Sequence, residues 1–175
     1  MHSFELQRHR HATAWLDEAP PADFSATSLV RRVLRPQRVV AASRRIAGAE
    51  LNIPHGPRAS YGLLGAELVD ARADGLEVVV SINKVGHPLE RSLALQPDKV
   101  NVGLLEEYAN AVIDGVAKTA ESSGLPTNAS LQFRWAAHDI VGSSSSIFER
   151  VSAIVMGLLL LPQNASNEQI EALFE

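Results

Sequence analysis

The sequence contains no cysteine among its 175 residues. That absence excludes a disulfide framework, a thiolate metal site and a cysteine nucleophile. Long apolar runs are scarce as well. The longest, Val151 to Leu161, is broken by Ser152 and Gly157 and falls short of the roughly 20 residues that span a bilayer. The opening MHSFELQRHRHATAW has no apolar h-region, so no signal peptide is expected there. Without an export signal, Asn128-Ala-Ser and Asn164-Ala-Ser read as chance matches to the glycosylation triplet. The expectation is a soluble, cytoplasmic protein without a membrane partner. Internal repeats and low-complexity tracts are missing, as are a GxxxxGK[ST] phosphate loop and a GxSxG nucleophile elbow.

Apolar residues make up 46% of the chain, enough for the core of one domain at this length. The formal charge of −4 is unevenly spread. Residues 1–58 hold nine Arg against five acidic residues, and residues 59–175 hold seven Lys and Arg against fifteen. The basic half offers guanidinium groups suited to phosphate, or simply a solvated strand face.

Residues 4–16 alternate loosely and read as an edge strand, and 17–28 as a connector. SLVRRVLRP (28–36) suggests one or two helical turns stopped by Pro36. QRVVAASRRIAGAEL (37–51) fits a strand or a short helix. NIPHGPRASYG (52–62) carries two Pro and two Gly and reads as a loop. Between 62 and 82, Asp74-Gly75 separates two apolar runs, a hairpin signal. Residues 83–99 form a polar connection. Leu105, Tyr108, Ala109, Val112, Ile113 and Val116 then fall on one stripe of a helix from Asn101, its N-cap, to about Glu121. ASLQFRWAA (129–137) alternates as a half-buried strand with Trp135 in the core. Ser146-x-x-Glu149 has the capping-box pattern and predicts a helix from about Ile147 to Leu161, with Phe148 in the core and Pro162 ending it. SNEQIEALFE adds a turn or two. Strand, hairpin, helix, strand and helix in this order predict an α+β protein with helices on one face of a mostly antiparallel sheet.

RPQRVVAASRRI, PHGPRASYG, the long VNVGLLEEYANAVIDGVAKTAESSGLPTNASLQFRW and HDIVGSSSSIFERVSAI follow one another as landmarks. In that order the segment resembles domain IV of bacterial elongation factor G. The likeness covers about 35–162, leaving 1–34 as an N-terminal strand and connector and 163–175 as a tail. Residues 83–99 stand as an insertion, and Gly142 and Ser145 replace expected acidic residues. The resemblance implies a two-layer α+β sandwich of the ribosomal protein domain 2 type, with a left-handed βαβ crossover. It also implies two loops meeting at one end of the sheet.

Those loops supply the candidate binding residues: His55, Gly56, Arg58, Tyr61 and Gly62 in one, His138, Asp139, Gly142, Ser143 and Ser144 in the other. His55, Arg58, Tyr61 and His138 would give the tip cationic and stacking groups suited to structured RNA or a ribosome. Two other readings compete. Gly142 to Ser144 at a helix N-terminus would suit a nucleotide or small-molecule phosphate, as in the GHMP kinases, whose Gly-Ser-Ser segment it resembles. A protein-interaction domain that kept only the fold is the third. Catalysis is not expected, because His138 and Asp139 are adjacent on a strand end and point to opposite sides. No cofactor or metal is expected either: His9 with His11, and His55 with His138, lack an acidic partner at ligand spacing.

Overall fold

Residues 61–68 are buried without a break, and their apolar side chains divide between two clusters, Tyr61 and Leu63 in one and Leu64, Ala66 and Leu68 in the other. A strand with two buried faces lies inside a sheet that is covered on both sides. The computed structural model describes residues 1–6, 10–56, 58–84, 86–94 and 100–175. Its strands are β1 (His2–Leu6), β2 (Arg10–Leu16), β3 (Ser28–Leu34), β4 (Arg45–His55), β5 (Arg58–Asp70), β6 (Leu76–Ile82), β7 (Val100–Val102) and β8 (Ala129–Asp139). The helices are α1 (Ala109–Ser123), α2 (Ser145–Leu160) and the short α3 (Asn167–Glu171). The protein is a mixed α+β structure built on a mostly antiparallel sheet, in the order β1-β2-β4-β5-β8-β6-β3, with β7 also on β8. Among these strands only β6 and β8 run parallel.

The larger cluster joins the sheet to the helices through Val112, Ile113 and Val116 of α1 and Phe148, Val151 and Val155 of α2. α2 lies over β4 and β5, and α1 over β6 and β3. The smaller cluster gathers Trp15, Ala22, Tyr61, Leu63, Leu89, Val100, Val102 and Ala137. Residues 86–89 are laced to β7 there, Leu89 N–H donating to Val100 O and Val102 N–H to His87 O.

Several expectations are corrected. Residues 28–34 are a strand, because the apolar run of β6 offers a paired edge along all seven residues of β3. The 52–62 segment is mostly strand: β4 and β5 pair from Arg45↔Leu68 out to His55↔Arg58. The Asp74-Gly75 turn does not close a hairpin, since β8 sits between β5 and β6. Asn101 is in β7 rather than capping a helix, and α1 begins eight residues later. The Ser146/Glu149 capping box is absent; the N-cap of α2 is Ser144, without a side-chain cap. A capping box forms instead at Ser166 and Gln169. The tail is part of the core: Phe174 is fully buried, its ring 6.0 Å from that of Phe4. β1 to β3 likewise belong to the common sheet. Trp135 is only half-buried, with the Arg134 guanidinium 5.9 Å from its ring centre.

Candidate functional site

β4 and β5 run on as a two-stranded ribbon whose last paired residues are His55 and Arg58, both exposed. Gly56, at φ 63°, starts the reversal. Arg58 has no ion-pair or hydrogen-bond partner among the described residues. The loop after β8 lies against this ribbon. A Cβ on Gly142 would stand 2.5 Å from Ala59 O, so only glycine allows the approach. Tyr61 N–H donates to Gly142 O at 3.2 Å. The Ser143 hydroxyl donates to Tyr61 O at 2.7 Å and accepts from Asp139 N–H at 2.9 Å. Asp139 Oδ1 accepts from Val141 N–H at 2.9 Å, and Tyr108 OH donates to Ser143 O at 3.3 Å.

These bonds hold rigid a loop that presents Ile140 and Val141 to solvent, each 68% exposed. Both side chains are β-branched and stiff. Neither was among the sequence candidates, although Ile-Val placed between Asp139 and Gly142, in a turn that has no core to fill, is a readable signal. Arg58 stands one residue beyond Ala59, the outermost ribbon residue that Gly142 approaches.

Most of the candidates serve the framework. Tyr61 is fully buried, so the expected stacking on a base is corrected. Its hydroxyl donates to Glu50 Oε1 at 2.8 Å, because β5 turns that position into the smaller cluster. His138 is also buried, not at the surface as expected. Its Nδ1 is 3.0 Å from Gly103 O, an acceptor only, so Nδ1 carries the proton. Gly62 faces α2, where a Cβ would touch Ile147 at 3.4 Å. The Ser143 hydroxyl is committed in both directions, which leaves it nothing to offer a phosphate. Ser144 Oγ contacts Ser146 Oγ at 3.0 Å.

Four arginines of the basic half are neutralised within the chain. Arg32 pairs with Asp114, Arg35 with Asp74, Arg44 with Glu67 and the buried Arg45 with Asp17. Among the described residues no group of three or more His, Asp or Glu could hold a metal ion; His9 lies outside them.

A second polar cluster escaped sequence reasoning. Glu50 Oε1 accepts from Leu93 N–H as well as from Tyr61, and Asn52 Nδ2 donates to Leu93 O, each at 2.8 Å. Together they latch residues 92–94 onto the sheet. Burial pushes the Glu50 carboxyl above its ordinary range, against the opposing pull of the Leu93, Tyr61 and Ser92 bonds. Burial, and then the Glu50 charge, raise the Tyr61 hydroxyl as well. An acid whose folded pKa is raised holds its proton more tightly in the folded state. Its stabilising contribution is complete below the unfolded value and is lost as pH rises through the folded one. Glu50→Gln keeps an acceptor for both bonds and removes the charge. Its melting temperature relative to wild type should therefore climb as pH rises above about 4.5 and then level off. Thermal unfolding of both proteins across pH checks this; a difference independent of pH would contradict it.

No protein-family model and no curated protein matches the chain.

Proposed function

We propose that this chain is a non-enzymatic binding module of the elongation factor G domain IV type. In this reading the helices and sheet form a two-layer sandwich, and the connection from β6 through α1 to β8 is the left-handed crossover. Its working end is the tip where the β4–β5 ribbon meets residues 139–144. One observation carries the reading: a loop fixed by hydrogen bonds on both flanks holds two adjacent apolar side chains out in water. Isolated exposed apolar residues are ordinary, but a rigid pair beside His55 and the Arg58 guanidinium supports a docking role. Such a tip fits an apolar recess framed by negative charge. A ribosome, with both protein and phosphate surfaces, is the first partner to test. Free structured RNA suits the tip less well, because with Tyr61 and His138 buried only His55 and Arg58 remain to meet it. The phosphate-site alternative at Gly142–Ser144 is weakened in the same way by the committed Ser143 hydroxyl.

The experiment is co-sedimentation with ribosomes at two salt concentrations. Wild type should associate at low salt. Arg58→Ala should flatten the dependence of log affinity on log salt by about 0.7–0.9, one released counterion. Ile140→Ser and Val141→Ser should each weaken binding about tenfold or more, for roughly 1.5–3 kcal/mol of lost burial, without changing the salt slope. Absence of association at low salt ends the ribosome reading. A protein partner would then be sought through the same two apolar side chains.

A further inference from the structure

β3 is the last strand on its side of the sheet, paired with β6 and with no other strand among the described residues. Its outer edge is therefore a row of unpaired backbone N–H and C=O groups about 20 Å long. Side chains divide by period two along it. Val30 and Leu34 pack on the larger cluster, and Arg32 between them reaches Asp114 Oδ1 and Asn110 Oδ1 of α1. Leu29, Arg31 and Val33 turn the other way. Leu29 is 47% exposed and Val33 43%, and Arg31 is exposed without a polar partner among the described residues.

Natural sheets blunt such an edge with charge, proline or a bulge. Here proline is absent from Ser28–Leu34, the register with β6 runs without a shift, and Arg31 is the single charge between two bare apolar side chains. Along the chain, residues 28–45 include six arginines and no acidic residue; across the strand pair Glu77 stands opposite Val33, its carboxylate accepting from the Ser130 hydroxyl at 3.2 Å. Arg32, Arg35, Arg44 and Arg45 are occupied by Asp114, Asp74, Glu67 and Asp17. Arg31 is free to choose a partner. A second copy of β3 fits poorly, because antiparallel pairing centred on its arginines sets like charges directly opposite each other, which is destabilising.

We propose that the β3 edge is a second binding surface, distinct from the tip, which takes an extended segment of a protein partner as an added strand, with an acidic residue beside Arg31 and apolar residues beside Leu29 and Val33. Backbone bonds along the edge would supply affinity, and alternate side chains would supply the choice of sequence. Leu29, Arg31 and Val33 share one face at period two, so the complementary segment reads apolar, any, acidic, any, apolar.

The probe is a capped, fluorescently labelled heptapeptide of threonines carrying valine, glutamate and valine at alternate positions. A second version has lysine in place of the glutamate. Both are titrated into the full chain, with binding followed by anisotropy and mapped by amide NMR shifts. The glutamate peptide should bind saturably, with the largest shifts in residues 28–34, and the lysine peptide at least about tenfold more weakly. Arg31→Glu should reverse that preference, a result that misfolding cannot produce. No saturable binding, equal affinity for the two peptides, loss without reversal in Arg31→Glu, or shifts centred elsewhere would each overturn the proposal. So would sedimentation showing a dimer of this chain that Arg31→Glu dissociates.

Discussion

Gly115→Ala should unfold about 6–12 °C below wild type, a loss near 3 kcal/mol at about 2–4 °C per kcal/mol for a chain of this size. Helix propensity alone argues the reverse, since alanine is better than glycine in a helix interior by about 0.8–1.0 kcal/mol. Packing decides the sign. A Cβ at 115 would stand 2.0 Å from Glu149 O and 2.1 Å from Ser152 Oγ. The Ser152 hydroxyl is itself bonded to Glu149 O at 2.9 Å and is buried. The nearer obstacle is the backbone of α2, so relief requires separating the two helices that cover the sheet. Gly157→Ala is the control, because its Cβ would approach only the movable end of Leu173, at 2.9 Å. Thermal unfolding followed by circular dichroism measures both. A Gly115→Ala protein as stable as wild type, or more so, would mean that α1 and α2 do not approach this closely.

Phe148→Ala should cost about 3–5 kcal/mol, the range for emptying a buried aromatic site. Phe148 is fully buried in the first turn of α2. Its ring centre is 4.7 Å from that of Tyr108, at an interplanar angle of 32°, and its edge would lie 3.6 Å from a Cβ on Gly62. The same ring thus steadies the entry to α2, the residue whose hydroxyl bonds Ser143 O, and the inner end of the ribbon. Denaturant unfolding measures the stability loss, and Phe148→Leu should recover much of it. Amide hydrogen exchange supplies a second readout: the Val141 and Ser143 amides should exchange faster in Phe148→Ala. An Ala variant that loses stability while those amides keep their protection would separate the core from the tip.

Where one physical rule dominates a segment, the sequence was readable. The stripe of Val112, Ile113 and Val116, the alternation of Leu131 and Phe133, and the apolar run after Ile147 all form the elements they predict. Reading failed where two rules compete. SLVRRVL spaces Leu29 and Val33 four residues apart, as a helix face does. Only the availability of β6 as a partner makes it a strand. Pro54 and Gly56 mark a loop locally, yet the register of β4 with β5 continues past Pro54 to His55. Asp74-Gly75 is a turn, and nothing near it records that a strand some fifty residues later intervenes, because strand order is a non-local property. The tip shows the same division. The landmark order carries the expectation that the two loops meet, and residues 139–144 do lie against the ribbon. Whether Tyr61 or His138 faces water depends on strand phase and on partners distant in sequence, Glu50 and Gly103.

The position of β8 sets a timetable for the ribosome that makes this chain. β5 and β6 are complete well before the strand that separates them exists, and each waits with an edge exposed. At about 5–20 residues per second, the roughly sixty residues between the end of β5 and the start of β8 amount to about 3–12 seconds of synthesis. β4 can zip onto β5 at once through a tight turn, and β3 can meet β6 soon afterwards, but these two halves share no strand pairing until residues 129–139 arrive. Only then do β5, β6 and β7 find a common neighbour. Slow codons or a stall before Ala129 would prolong a state with two half-sheets and open edges, and a chain truncated there would be prone to pair with others of its kind.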